Sequence, residues 1–500
     1  MRTKRSIINL ITALVSQIVI MILAFFVPRL TLVNYGSETN GYMSLVTQIY
    51  AYINILEAGL GTAVVQALYA PVSNNDLDLI SKIINVARKY YHRIAIFYSV
   101  AVMIVGCAIP FVVVCSLSKI EMFFYFILYG VSNVINFWFT ASMRPLLLAE
   151  GKNYINSNIT MVFSVLSQLC KIALLTCGCG IVFLQLGYSL INTMQIIAYA
   201  VYFKTKYKWI DDSIIGDDSL IRQRGAFFTQ QISNLIFGCT DIVLITLLCD
   251  LTTASIYAVY NFIFNSISVI LSMVTSSTQF VLGQTYNEDK IRYLRVHRTY
   301  ESLLLSITFT IISTAVVMSI PFIKLYTNGV SDANYVDLIL PIMFGLTGLL
   351  STCKSTSLCL INFSFHAKET MTRTIIEALI NLILSLIFIP IWGIHGALIG
   401  TTIALIYRVI DIVLYVNRRI LKDSIFDPIK LYASNFVCFI CFIYICNRIN
   451  VTCVSYWEFF VKTSIIFCFS LIIYMGLNTV INMSLYKKIF VELRLKMKGK

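Results

Sequence analysis

Long apolar stretches recur along the whole chain, and only short polar segments separate them. A helix needs roughly 20 residues to cross the hydrocarbon layer of a membrane, and most of these stretches reach or exceed that length. Their approximate extents are 7–30, 42–69, 94–116, 122–149, 155–177, 180–203, 226–249, 252–282, 300–323, 336–363, 374–391, 395–416, 431–447 and 457–480. The stretches are continuous, whereas the strands of a membrane barrel alternate apolar and polar residues. The pattern therefore predicts an all-α polytopic membrane protein with about 14 transmembrane helices.

The composition excludes a soluble enzyme. Hydrophobic residues make up 58% of the chain and charged residues 12%, about half of the charged fraction of a typical soluble domain. The first apolar stretch is also longer than the ~7–15 residues of a signal peptide. Pro28, Arg29 and Leu30 follow it in place of a small-residue cleavage site. We therefore expect the first helix to be retained.

The basic residues are distributed unevenly between alternate loops. If the N-terminus is cytoplasmic, 30 of the 38 Lys and Arg residues lie in cytoplasmic segments, 3 lie in external loops, and 5 lie within spans or at their edges. Such a bias follows the positive-inside rule and predicts that both termini are cytoplasmic. The net charge of +14 then requires no nucleic-acid partner.

The order of spans and charged segments predicts two similar halves, which is a common plan of transporters. Segment 76–93 has the spacing of an amphipathic helix, and we expect it to lie along the inner membrane surface. The predicted parts are an N-terminal six-helix lobe at 1–203, a cytoplasmic linker at 204–225, a C-terminal six-helix lobe at 226–416, two extra transmembrane helices at 430–480, and a basic cytoplasmic tail at 481–500.

Several short stretches occur in an order that is known from one family of membrane proteins. They are 35–41 (YGSETNG), 53–61 (INILEAGLG), 146–153 (LLLAEGKN), Thr240 with Asp241, 257–260 (YAVY) and 393–401 (GIHGALIGT). In these stretches the chain resembles the O-antigen type of polysaccharide flippase, in the multidrug/oligosaccharidyl-lipid/polysaccharide exporter superfamily. The resemblance implies two six-helix lobes plus two helices, alternating access, and an undecaprenyl-diphosphate-linked oligosaccharide as cargo.

Cations at membrane depth are candidates for binding the diphosphate, because buried ionisable residues are costly and are usually functional. Lys354 and Arg408 lie inside apolar stretches, and an arginine fork suits a phosphate group. Alternatively, Arg408 pairs with Asp411 one turn later, and Lys354 extends to the inner interface. Three further cations are Arg144, Lys171 and Arg29, which could instead be ordinary interfacial residues.

Three acidic residues and one amide are candidates for ion coupling or for a polar cavity, namely Glu57, Asp241, Asp411 and Asn54. Glu57 shares a helical face with Tyr50, Asn54 and Gly61. Asp241 shares one with Gln230, Asn234 and Gly238. For Glu57 and Asp241 the alternative is hydrogen bonding between helices that stabilises the fold. Glu377, near the end of its span, is expected to be interfacial.

No pattern of covalent catalysis is visible. The paired cysteines 177/179 and 438/441 lack accompanying ligands, and the four histidines do not cluster. No phosphate-binding glycine loop with its lysine is present. We therefore expect neither a cofactor nor an enzyme activity.

The favoured function is a flippase for a polyprenyl-diphosphate-linked oligosaccharide in a bacterial plasma membrane. The expected partners are this lipid-linked oligosaccharide, membrane lipids and polysaccharide polymerase machinery. The alternatives are a multidrug/cation antiporter, a peptidoglycan-precursor flippase and, with less support, a membrane sugar polymerase. Short external loops disfavour the polymerase, because it needs a polar domain for its acceptor and catalytic groups.

Overall fold

The computed structural model describes residues 15–483 except 58, 212, 215, 222–239, 365 and 450. Over these residues the chain is helical between short loops, and no strand occurs among them. The helices are α1 (15–24), α2 (Phe26–Ile53), α3 (Leu60–Asn74), α4 (Leu77–Val112), α5 (Lys119–Phe139), α6 (Arg144–Ala149), α7 (Asn153–Thr176), α8 (Ile181–Lys206), α9 (240–248), α10 (Leu251–Glu288), α11 (Lys290–Tyr326), α12 (Leu340–Phe363), α13 (Ala367–Trp392), α14 (Ile394–Tyr415), α15 (Phe426–Ile449) and α16 (Tyr456–Ile481).

Twelve helical stretches among the described residues are long and apolar enough to cross a membrane. The prediction of an all-α multi-pass membrane protein is therefore confirmed. The predicted first span and the start of the second share one stretch, Val15–Glu57, with a kink at Gly36 (φ 81°, ψ 177°) that glycine adopts readily. The predicted seventh span, 226–249, lies mostly outside the described residues, as do the N-terminal basic residues and most of the predicted tail.

Segment 76–93 does not form a separate surface helix. It is the first half of α4, whose 36 residues extend about 54 Å. The side chain of Asp76 caps this helix by accepting a hydrogen bond from the backbone N–H of Leu79 at 3.0 Å. The apolar face, with Ile80, Ile83 and Ile84, is buried in the protein core. The prediction of a surface helix was wrong, because an amphipathic face packs equally well against other helices.

The chain divides into two compact units, Met1–Ile256 and Tyr257–Lys500. The division lies beyond the predicted linker at 204–225, and the lobe boundaries given above stay a prediction. Described parts of that linker pack onto α4 within the first unit. The side-chain amide of Asn85 donates to the carbonyl oxygens of Asp211 at 2.8 Å and Ile214 at 2.9 Å.

Buried tyrosines connect the helices of the first unit. The hydroxyl of Tyr42 donates to the carbonyl oxygen of Met122, and that of Tyr50 to the carbonyl oxygen of Phe126, each at 2.6 Å. Both side chains are almost fully buried, so each hydroxyl needs such a partner. These bonds fix α2 against α5.

In the second unit, α15 and α16 pack on α11 through buried polar residues. The amide of Asn435 donates to Asn478 Oδ1 at 2.7 Å, and Asn478 donates to Ser306 Oγ at 2.8 Å. Ser313 and Tyr474 share a further hydrogen bond at 2.8 Å. In an apolar environment such pairs fix the register of neighbouring helices.

Close backbone contact between α13 and α14 depends on a glycine. A Cβ atom at Gly396 would lie 2.1 Å from the carbonyl oxygen of Phe388, whereas a Cβ at Gly476 in α16 would meet nothing within 4 Å. We predict that Gly396→Ala lowers the stability of the protein by about 1–3 kcal/mol through overpacking. Gly476→Ala should leave stability unchanged or raise it, because alanine favours helix. Thermal unfolding of both variants in detergent measures the difference, and equal melting temperatures would contradict the packing argument.

Candidate functional site

A break in the helical backbone marks the position of Glu57. Helix α2 ends at Ile53, a 3₁₀ turn covers Asn54–Glu57, and α3 begins at Leu60 after Gly59, whose φ is 81°. A turn of this kind within a span leaves some backbone N–H and C=O groups outside the regular helical hydrogen bonding. Such turns often occur at binding sites. The structure thus places the acidic candidate Glu57 at an interruption of its helix.

A cavity of about 460 Å³ opens beside this break. Its volume falls in the range of sites that hold small ligands. The wall combines a carboxylate, a guanidinium and four amide side chains with apolar residues. The lining residues are Glu57, Gly61, Thr62, Val65, Gln66, Tyr69, Tyr91, Asn136, Ala141, Arg144, Pro145, Leu148, Asn153 and Asn156.

Glu57 and Arg144 are brought together at this cavity. The hydroxyl of Tyr91 donates to Glu57 Oε1 at 3.2 Å. Glu57 and Arg144 attract each other across the cavity, although no direct ion pair joins them among the described residues. The guanidinium of Arg144 lies over the ring of Tyr199, 4.3 Å from its centroid, and its buried Nε has no hydrogen-bond partner among the described residues. Arg144 therefore carries an unpaired hydrogen-bond donor beside the cavity.

Asn54 bonds within the helix packing and is not part of the cavity wall. Its Oδ1 accepts a hydrogen bond from the hydroxyl of Tyr98 at 3.0 Å, and Tyr98 in turn accepts one from Asn133 at 2.9 Å. These contacts connect the end of α2 to α4 and α5. They match the alternative interpretation of the polar face around Glu57, in which hydrogen bonds between helices stabilise the fold.

A second cluster of charges lies in the other unit, where Glu377 connects Lys354 to Arg408. Lys354 Nζ lies 2.7 Å from Glu377 Oε1, and Arg408 Nε lies 3.4 Å from Glu377 Oε2. The side chain of Arg408 is 2% exposed and that of Glu377 4%. Charges so deeply buried require partners, and each of these has at least one.

The other two nitrogens of Arg408 also have partners. Its Nη1 lies 2.9 Å from Asp411 Oδ2, and its Nη2 donates to Thr374 Oγ1 at 3.0 Å. Arg373 pairs with the other oxygen of Asp411 and lies over the ring of Tyr415. Lys354, Arg408 and Asp411 thus belong to one network in which positive and negative groups alternate.

Glu377 is the residue of this network whose place the sequence interpretation missed. It was expected to be interfacial, whereas the structure buries it between helices, with only 3% of the residue exposed. A signal was present, because polar residues recur at helical spacing along one face of α13. They are Thr370, Thr374, Glu377, Asn381 and Ser385. Such a face in an apolar helix indicates a buried polar interface.

The other candidates lie apart from these two clusters. Lys171 Nζ lies 3.9 Å from the ring centroid of Tyr188 in the first unit, and Arg29 is half-buried on α2. Asp241 is buried in α9 next to Thr240, which shares a hydrogen bond of 2.6 Å with Tyr52. The residues predicted to share its face, Gln230, Asn234 and Gly238, lie outside the described residues. Within the described parts of the chain, no group of three His, Cys, Asp or Glu residues is placed to hold a metal ion.

Several solved structures that share this fold are titled as membrane transporters. A structure titled lipid II flippase MurJ, in an inward closed conformation, aligns with a TM-score of 0.70 at 14% identity, covering 95% of this chain and 100% of its own. An inward-facing multidrug resistance MATE family transporter of the MOP superfamily aligns at 0.64 and 15% identity, covering 83% and 99%. A MOP superfamily transporter from Pyrococcus furiosus aligns at 0.58 and 12% identity, covering 83% and 96%. No family model and no curated protein matches the chain. The chain thus has the fold of MOP superfamily transporters.

The Glu377 network makes a testable contribution to stability. Glu377→Gln would leave Lys354 and Arg408 without their shared carboxylate, so we predict a loss of about 3–5 kcal/mol. The matched control is Glu458→Gln, which removes the 2.6 Å ion pair with Lys462, where both side chains are more than one-third exposed. That change should alter stability little. Thermal unfolding in detergent compares the two variants, and an equal effect would show that the buried carboxylate is not a structural centre.

Proposed function

We propose that the chain is a flippase that moves an undecaprenyl-diphosphate-linked oligosaccharide from the cytoplasmic to the outer leaflet by alternating access, for surface polysaccharide synthesis. The observation that carries this proposal is Arg144, a buried cation with a free donor on the wall of a polar cavity. An anionic head group cannot cross hydrocarbon without such compensation, because the cost of burying an unpaired anion is prohibitive.

The other residues of the cavity wall suit the rest of such a ligand. The amides of Asn136, Asn153 and Asn156 can both donate and accept, as sugar hydroxyls require. Val65 and Leu148 add apolar surface beside them. The phosphate of such a ligand would bind Arg144, and its sugars would contact the amides and the apolar residues beside them.

Glu57 would couple the binding of the head group to a cation. In the absence of cargo, Arg144 attracts its carboxylate across the cavity. A phosphate on Arg144 would compete for that attraction and repel the carboxylate, which favours binding of H⁺ or Na⁺ to Glu57. In this proposal Asp241 and Asn54 stay secondary candidates, and Arg29 stays a candidate for release of the head group.

Lys354 and Arg408 can bind a diphosphate only by exchanging partners. Their donors are held by Glu377, Asp411 and Thr374. A phosphate would replace one carboxylate as the acceptor, so the network would serve as a second anion site that opens when cargo arrives. Its strength without cargo would keep the second unit rigid.

The fold comparisons favour transport over catalysis, and the flippase title of one neighbour, MurJ, supports a lipid-linked cargo. A peptidoglycan-precursor flippase and a multidrug/cation antiporter have compatible folds. The unpaired donor of Arg144 favours an anionic cargo over a cationic drug. The distribution of basic residues supports a bacterial plasma membrane location with both termini in the cytoplasm.

Transport in proteoliposomes tests this function directly. Vesicles that contain the protein should move a fluorescent undecaprenyl-diphosphate oligosaccharide between leaflets, and a membrane potential should alter the rate. We predict that Arg144→Gln lowers the initial rate about tenfold or more, since a charged hydrogen bond to phosphate is lost. The control is Arg448→Gln, which removes an exposed guanidinium whose partner is Tyr444 at 3.0 Å.

Two results would contradict the proposal. Movement of the lipid at the rate of empty vesicles would exclude it as cargo, and movement of cationic dyes instead would favour the antiporter. An Arg144→Gln variant that transports as fast as the native chain would remove Arg144 from the mechanism.

A further inference from the structure

Helices α7 and α8 face each other with polar residues, although both are membrane spans. The polar residues recur every three or four positions, so that each set lies on one face of its helix. On α7 they are Asn156, Thr160, Ser164, Gln168 and Lys171. On α8 they are Gln185, Tyr188, Asn192, Gln195 and Tyr199. We call the two faces together the α7–α8 seam.

Contacts at both ends show that the two faces meet. Gln195 Nε2 donates to Thr160 Oγ1 at 3.4 Å, and Thr160 shares a hydrogen bond of 3.2 Å with the hydroxyl of Tyr199. Towards the other end, Lys171 lies over the ring of Tyr188. By contrast, Val162 on the other side of α7 is about half exposed, as expected for a lipid-facing residue.

The seam begins at the cavity. Asn156 lines the cavity, and the guanidinium of Arg144 lies over the ring of Tyr199. Fifteen residues separate Asn156 from Lys171 along α7, which corresponds to about 22 Å of helix. That length is most of the roughly 30 Å of hydrocarbon in a bilayer. Two cations, Arg144 and Lys171, therefore mark the two ends of one polar seam.

Several polar atoms on and beside the seam have no partner. Gln168 Oε1 and both amide atoms of Gln185 are buried without a hydrogen bond among the described residues, and so is Ser132 Oγ on α5. Tyr129 on α5 and Tyr188 on α8 have ring centroids 6.2 Å apart, so α5 packs beside the seam. Each unpaired buried group costs about 1–3 kcal/mol. Lys171 likewise forms no ion pair with any described acidic residue.

A purely structural seam would have its polar groups paired with each other. That is what the buried amides of α15 and α16 do, where Asn435 and Asn478 bond to each other in both directions. The α7–α8 seam differs, because its cation and its glutamines keep free hydrogen-bonding capacity. Such capacity in a span is explained if water or a polar ligand enters the seam.

We propose that the α7–α8 seam is the route of the anionic head group through the first unit, with Lys171 as a second phosphate-binding position beyond Arg144. The phosphate moves from the guanidinium to the ammonium, and the hydroxyl and amide groups between them bind the sugars. The identity of the cargo in this inference rests on the proposed function. The access of water to the α7–α8 seam does not depend on that function.

Transport separates the role of Lys171 from that of a structural residue. Lys171→Gln should lower the transport of the labelled lipid about tenfold, whereas Lys171→Arg should restore most of the rate, because it keeps the charge. Lys462→Gln, on an exposed lysine of the second unit, is the matched control and should transport normally. Native transport by Lys171→Gln would overturn the proposal. So would equal losses in both Lys171 variants accompanied by equal falls in melting temperature.

Thiol labelling tests the seam without any assumption about cargo. In a cysteine-free variant that keeps its melting temperature, Ser164→Cys should react with a water-soluble maleimide at least about tenfold faster than Val162→Cys, because thiolates form only in water. Inorganic pyrophosphate should slow the labelling at Ser164→Cys, and Lys171→Gln should abolish that protection. Equally slow labelling at both positions would overturn the inference. If the seam is labelled and protected but the native chain moves no lipid, the seam stands and the proposed cargo is wrong.

Discussion

The free energy of a charge in hydrocarbon is the constraint on which the rest of this structure depends. In the second unit the constraint is met by pairing, because Arg408 contacts two carboxylates and a hydroxyl while it is almost completely buried. In the first unit it is met differently. Arg144 lies on an aromatic ring at the edge of a cavity and keeps one donor free. Paired charges of the first kind make a rigid structure, whereas an unpaired cation beside a cavity makes a place for an anion.

The same constraint collects polar residues into seams between helices. The α13–α14 interface carries Glu377, Asn381 and Thr401, and the interface of α11 with α15 and α16 carries paired asparagines. The asparagines and the threonine of these interfaces are hydrogen-bonded to each other, so they fix helix positions. The α7–α8 seam has the same periodicity but leaves groups unpaired. The periodic spacing of polar residues therefore identifies where helices meet. The number of hydrogen-bonded groups then distinguishes a structural interface from a path for a polar ligand.

Much of the fold could be predicted from the sequence, because a helix in lipid must satisfy its own backbone and must be long enough to span. The amphipathic start of α4 was predicted to lie on the membrane surface. The sequence pattern identifies its apolar face, but it does not show whether lipid or neighbouring helices cover that face. At the candidate site the limits are similar. Arg408 and Asp411 are one turn apart, so their pairing was predictable, whereas Lys354 and Glu377 lie on different helices 23 residues apart. The free donor of Arg144 depends on Tyr199 and on the shape of the cavity, which no local pattern in the sequence encodes.

In the proposed transport cycle, charge balance at the cavity would connect binding of the head group with the direction of its movement. Glu57 and Arg144 have opposite formal charges and attract each other across the cavity, so in this proposal the cavity without cargo would close at low electrostatic cost. A diphosphate adds negative charge that one guanidinium cannot neutralise. Closure around the cargo then requires another positive group, either a cation on Glu57 or a second basic side chain within reach. The cation would make the proton or sodium gradient a source of energy, and Lys171 would instead draw the head group onward along α7. Each solution neutralises the cargo before it leaves water, which is the condition that any path through this helix bundle must meet.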